Sequence, residues 1–161
     1  MPKIEFTGFS GYMNALEKLS ERSNGITKKA LYEGVAVTAD EVRASIASLP
    51  TDENWGTQKN PSKGIKKAQK QALLDGLGVS GFRQTGDRID ALVGFSGYSD
   101  YKTAKYPNGQ PLPLIARVAE SGTSFSKKTP FVAKAVRKAK GPAEAKMKEV
   151  FESEIEKIMK E

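Results

Sequence analysis

Carboxylates are the only side chains in this sequence with the makings of acid–base chemistry. The chain contains neither cysteine nor histidine. That excludes disulfides, thiolate nucleophiles, zinc sites built from Cys or His, and every triad that needs an imidazole base. An enzyme made from what remains needs paired carboxylates or a lysine nucleophile. Asp87 and Asp90 flank a turn and a strand, where solvated turn polarity is the more economical account. Asp52 and Glu53 lie in a loop, which does not hold acid–base geometry. Glu120 stands alone at the end of an apolar helical segment with no acidic partner in view. No Walker-type phosphate loop and no glycine-rich dinucleotide fingerprint follows a strand. The expectation is a protein without catalytic, cofactor-binding or metal-binding residues.

Lysines are the other conspicuous group. Lys59, Lys63, Lys66, Lys67 and Lys70 fall between Gly56 and Leu74 with no acid among them. They read either as a solvated lysine face or as docking or DNA contacts on a basic, partly helical arm. Net charge is +7, from 26 Lys and Arg against 19 Asp and Glu, which favours acidic partners or nucleic acid. Tyr98, Tyr101 and Tyr106 occur among lysines in a later loop, where aromatics either stack on bases or pin the loop to its own domain.

The elements that must position these residues follow from periodicity. At 161 residues the chain suits one domain, residues 1–161, with a mobile loop and basic arm at about 50–70. Ile4 and Phe6 alternate in a short N-terminal strand, and a helix entered at Ser10 carries Tyr12, Leu16 and Leu19 as its buried stripe. An Asn24-Gly25 turn should follow. Thr27 then caps a long helix to about Leu49, with Leu31, Val35, Thr38, Val42, Ile46 and Leu49 recurring at three- and four-residue steps. Pro50 closes it. Val79 to Gln84 should pair with the alternating Ile89, Ala91, Val93 and Phe95 across Thr85-Gly86-Asp87 as an antiparallel hairpin. Pro107-Asn108-Gly109 marks a turn.

Pro113 opens a short helix with Leu114, Ile115, Val118 and Ala119 inward, and Gly122 stops it. Thr129 and Pro130 supply the cap and first turn of a helix buried through Phe131, Val132, Ala135, Val136 and Ala139. Gly141-Pro142 should break the chain before a last amphipathic helix lined by Ala143, Met147, Val150, Phe151, Ile155, Ile158 and Met159. The fold class is therefore α+β, a small antiparallel sheet of the central hairpin plus the N-terminal strand, packed against a long helix and C-terminal helices. No internal repeat is visible, and no stretch approaches the ~18 apolar residues of a membrane span, so no membrane is expected.

The joint "RVAESGTSFSKKTPFVAKAV" is articulated out of proportion to any chemistry it carries. Gly122 turns the chain, Thr123 and Ser124 can satisfy helix-end carbonyls, and Pro130-Phe131 restarts a helix with an aromatic anchor. Glu120 can accept hydrogen bonds from the backbone of the loop below it or pair with a basic residue of a neighbouring subunit. Phe131 is either a core residue or a subunit contact.

Taken in succession, these segments resemble the small tail-component proteins of long-tailed bacteriophages, which act at the neck as tail-completion or head-to-tail joining factors. The matching stretches are "IEFTGFSGYMNALEKL", the long helix ending "EVRASIASLPTDENWG", a β-rich centre, "AESGTS" and "TPFVAKAVRKA". Ser121 stands where that family commonly has an aromatic, and the nearest Thr-Gly pair after the loop proline is the distant Thr85-Gly86. The resemblance implies an α+β subunit closing into a hexameric ring between head connector or adaptor proteins and the tail tube or terminator, in the virion neck, assembled in the bacterial cytoplasm. Its assembly interface would include Glu120, Gly122, Thr123, Pro130 and Phe131. DNA passing through the lumen would meet the inward lysines without being read for sequence. A tail terminator capping the tube and a nonspecific DNA-binding protein are the alternative readings.

Overall fold

A computed structural model describes residues 9–161. In chain order it contains α1 (Phe9–Ala47), α2 (Lys67–Gly76), β1 (Leu77–Val79), β2 (Arg83–Thr85), β3 (Arg88–Asp90), β4 (Val93–Phe95), α3 (Leu112–Ser121) and α4 (Phe131–Lys160). The fold is α+β, a small antiparallel β element between long helices, and the strand expected around Ile4 and Phe6 lies outside the described residues.

Two helices dominate. With 39 residues, α1 is about 58 Å long at 1.5 Å per residue, and α4, with 30, is about 45 Å. They run antiparallel along the whole of α4. Lys18 and Arg22 reach Glu161, Lys29 reaches Glu154, Glu41 meets Lys138, and the Ser45 hydroxyl donates to the Phe131 carbonyl at 2.9 Å. Small residues make this approach possible. Ala30, Gly34 and Ala39 on α1 and Ala135, Ala139 and Ala143 on α4 are all buried. A Cβ on Gly34 would stand 2.8 Å from the Met147 sulfur.

This packing overrides two local signals. Asn24-Gly25 does not turn the chain, and α1 runs through it without interruption. A helical glycine costs about 1 kcal/mol relative to alanine. Buried Ile26 and the Arg22 and Lys29 ion pairs on either side secure the segment to α4. Thr27 accordingly caps nothing, and its hydroxyl donates to the Ser23 carbonyl at 2.9 Å within the helix. Gly141-Pro142 likewise fails to break α4. Both residues are exposed, so the carbonyl left without a partner by the proline faces water, while Ala139 and Ala143 hold the opposite face against α1.

The expected stripe of the long helix is buried at Val35, Val42, Ile46 and Leu49 and half-buried at Leu31 and Thr38. The earlier stripe is shifted. Ala15 is buried and Leu19 half-buried, but Tyr12 and Leu16 face solvent together with Met13. On α4, Val136, Phe151 and Met159 are exposed, whereas Phe131, Ala135, Ala139, Ala143 and Ile158 are buried.

The core lies at the other end of the helix pair. Val42, Ile46 and Leu49 of α1 meet Leu73 of α2, Leu77 of β1, Leu112, Ile115 and Ala119 of α3, and Phe131 and Ala135 of α4. The Phe131 ring tilts against Phe95 with centroids 6.2 Å apart. The hairpin has the expected turn, with Thr85 opposite Arg88 and Gly86 at φ 61° opening the two-residue loop. Its ladder is interrupted. β1 pairs with β4 and β2 with β3, and between them Ser80 exchanges hydrogen bonds with the Leu92 backbone at 2.7 and 2.9 Å. Among the described residues no helix is long and apolar enough to cross a membrane.

Phe131→Ala removes the largest fully buried side chain and is expected to cost about 3–5 kcal/mol in chemical denaturation. The far end of the α1–α4 pair carries a pH signature of its own. Lys157 first and Lys29 second hold the Glu154 carboxyl at about 2, down from 4.5. A depressed carboxyl contributes stability that is complete above the ordinary value and is lost as pH falls through the lower one. Carboxyl-carbon NMR should therefore titrate Glu154 near pH 2, and Lys157→Met should move that midpoint up towards 4.5.

Candidate functional site

The joint between α3 and α4 is closed by one carboxylate. Apolar periodicity with Pro113 in the first turn makes α3, and Gly122 ends it at φ 72°, with its N–H on the Val118 carbonyl at 2.8 Å. That backbone region suits only glycine, and a Cβ there would also press on Lys128 at 2.8–3.0 Å. The chain then folds back so that the Thr129 N–H reaches the Ala119 carbonyl at 2.7 Å. From α3, Glu120 accepts the Val132 N–H at 2.8 Å on Oε2 and the Ala133 N–H at 3.0 Å on Oε1. These are orphan donors of the first turn of α4, where a negative charge also complements the helix dipole.

Glu120 thus accepts from backbone within the chain, but from the first turn of α4 and not from the loop expected to supply the donors. The cap expected from Thr129 is absent because this carboxylate does that work. The Thr123 hydroxyl accepts the Phe125 N–H at 3.2 Å, within the loop that follows α3. Pro130 sits at the N-cap position, and Phe131 is 2% exposed, a core residue with no surface to offer a neighbour.

Beside the joint, two loops are fused. The Ser62 N–H donates to the Phe125 carbonyl and the Lys127 N–H to the Ser62 carbonyl, both at 2.9 Å, so residues 51–65 and 122–128 form one wall. Gly56 is required there because a Cβ would collide with the Phe125 carbonyl oxygen. The stretch expected to be a mobile arm is held from several sides. The Asp52 carboxylate accepts the Lys63 and Asn54 N–H groups at 3.0 Å, which keeps it below the ordinary carboxylate range. Glu53 Oε1 accepts the Lys67 N–H at 2.8 Å at the start of α2.

The five lysines divide by environment. Lys66 is 7% exposed. Its ammonium donates to the Glu53 carbonyl at 2.7 Å and lies 4.5 Å from the Trp55 ring centroid and 5.7 Å from that of Tyr101. Lys70 donates to the Leu49 carbonyl at 3.0 Å, just past the C-terminus of α1, where a cation complements the helix end. Neither is free for docking. Lys59, Lys63 and Lys67 are exposed. Tyr101 pins its loop through Trp55, with centroids 5.7 Å apart, while Tyr98 stays exposed.

Between the fused loops and α3 opens a slot of about 190 Å³. Leu114, Ile115 and Val118 line it, Lys66, Gln69 and Gln110 supply polar atoms, and Trp55 and Phe125 form lips that are 66% and 53% exposed. Nothing in the periodicity pointed to it. A lone tryptophan in a Gly- and Pro-rich loop, close in sequence to a lysine cluster, was the one available sign.

Asp90 accepts from Arg88 at 2.7 Å, Asp52 and Glu53 are occupied as turn and helix caps, and the described residues hold no group of three or more metal-ligating side chains. Glu120→Ala should destabilise the fold by about 0.5–2 kcal/mol in chemical denaturation, as the loss of a helix cap does, with Glu120→Gln recovering part of it. In comparisons with protein-family models, curated proteins and solved structures, nothing matches this chain.

Proposed function

We propose that the protein is a structural assembly subunit that closes head-to-tail into a ring at the neck of a tailed phage or phage-derived particle, as a tail-completion or head-to-tail joining factor. The observation that carries this reading is the free end of the helix arm. Tyr12, Met13 and Leu16 on α1 and Met159 on α4 are exposed there among the described residues, 51%, 49%, 38% and 43% respectively. Apolar side chains clustered at the end of a stiff helix pair are what a contact between protomers buries.

The charge distribution supports the same reading. Residues 9–33 and 145–161, which form the arm, carry eight basic and eight acidic side chains, and seven of the ten ion pairs among the described residues lie within them. Residues 34–144, which form the body, carry 17 basic against 10 acidic side chains, the whole of the +7. A neutral, apolar-tipped arm and a basic body are different patches. A heterologous interface, which closes rings, joins different patches. The motif succession from Glu120 to Phe131 adds the family resemblance, with those residues serving as the lock that sets α4 against α3. A terminator capping the tube would use the same surfaces, and imaging the particle separates it by position.

Purified full-length chain should form a ring by native mass spectrometry and by imaging of particles. The Tyr12→Asp, Leu16→Asp double variant should weaken self-association at least about tenfold while helix content by circular dichroism is kept. A chain that stays monomeric at high micromolar concentration and is missing from every particle would sink the reading.

A further inference from the structure

We infer that the slot between the fused loops and α3 is a docking site for an extended acidic segment of a different protein, one that places a single bulky aliphatic side chain between Trp55 and Phe125. The slot is larger than the ~150 Å³ apolar cavity that accepts benzene, so it has room for a leucine side chain. Its depth is aliphatic and its lips aromatic, the arrangement of an interface hot spot.

Charge complementarity fixes the kind of partner. Lys59, Lys63, Lys127 and Lys128 sit on the two fused loops, all exposed, and none of them makes an ion pair among the described residues. Lys127 and Lys128 line an adjoining open pocket that shares Thr123 and Ser126 with the slot. The one acid lining the slot, Asp52, is turned to the Lys63 and Asn54 N–H groups. An apolar centre on loops that carry unpaired lysines, with Lys127 and Lys128 on the adjoining pocket, is complementary to carboxylates flanking an apolar side chain. A second copy of this chain fits poorly, because Glu149, Glu152, Glu154, Glu156 and Glu161, five of the arm's eight acids, are already paired with the arm's own cations. Duplex DNA offers phosphates but nothing to fill the slot.

This site lies on the body, apart from the arm tip, so it can be assayed whether or not copies form a ring. Trp55 is the only tryptophan and stands at the lip, which makes its emission a direct reporter. The probe is a synthetic hexapeptide with one central leucine and four flanking carboxylates, titrated into the full-length chain. Saturable change in Trp55 emission is expected, weakening as salt is raised. The peptide with alanine for leucine should bind about tenfold less tightly, and the Lys127→Glu, Lys128→Glu double variant should lose about three- to tenfold with unchanged thermal unfolding. No emission change up to millimolar peptide overturns the inference, as does equal binding of the leucine and alanine peptides. Tighter binding of an oligothymidylate or of duplex DNA that displaces the peptide would assign the site to nucleic acid instead. Loss of self-association in Phe125→Ala would assign it to a contact between copies.

Discussion

The close approach of α1 to α4 is the constraint from which the rest of this molecule follows. Alanine and glycine along the shared face bring the two backbones near enough for Ser45 to reach the Phe131 carbonyl and for Lys29 to reach Glu154. Neither helix is well made on its own, since one contains Asn24-Gly25 and the other Gly141-Pro142. Each runs unbroken against the other. Once α4 is fixed at its first residue, Phe131 is driven into the core, and its orphan N–H groups come to rest where Glu120 can take them.

That constraint explains which parts of the fold were legible in the sequence. Val35, Val42, Ile46 and Leu49 carry a periodicity that only one helix face satisfies, and Thr85-Gly86-Asp87 specifies a tight hairpin turn by local backbone preference alone. Both signals act over a few residues. The Asn24-Gly25 and Gly141-Pro142 breaks were misjudged because a local cost of about 1–3 kcal/mol is outweighed by burial against a partner more than a hundred residues away in sequence. Tyr12 and Leu16 have the right spacing for a buried stripe, yet at the tip of the arm they are exposed among the described residues.

The candidate site was less legible for the same reason. Glu120 was recognised as a hydrogen-bond acceptor, but its donors belong to α4 and not to the loop between. The slot exists only because residues 51–65 and 122–128 are stitched together by Ser62, a pairing that no periodicity announces. Trp55 gains meaning from Lys66 and Tyr101, which come together through three separate loop and helix segments.

Sequence distance therefore misleads about the lysines as well. Read along the chain, Lys59, Lys63, Lys66, Lys67 and Lys70 form one acid-free run; in space they serve different ends. Lys66 lies between two aromatic faces and a carbonyl, and Lys70 sits on the end of α1, so both cations organise the body internally. Lys59 and Lys63 instead share a wall with Lys127 and Lys128, which enter from the joint more than sixty residues later. Charge that is spent inside shapes the surface on which the remaining charge is displayed. The arm neutralises itself through its own ion pairs, so the excess charge belongs to the body, and the loops that carry part of it, at Lys59, Lys63, Lys127 and Lys128, also hold the apolar slot. Exposed lysine charge and an apolar slot therefore meet on loops that lie far apart in sequence.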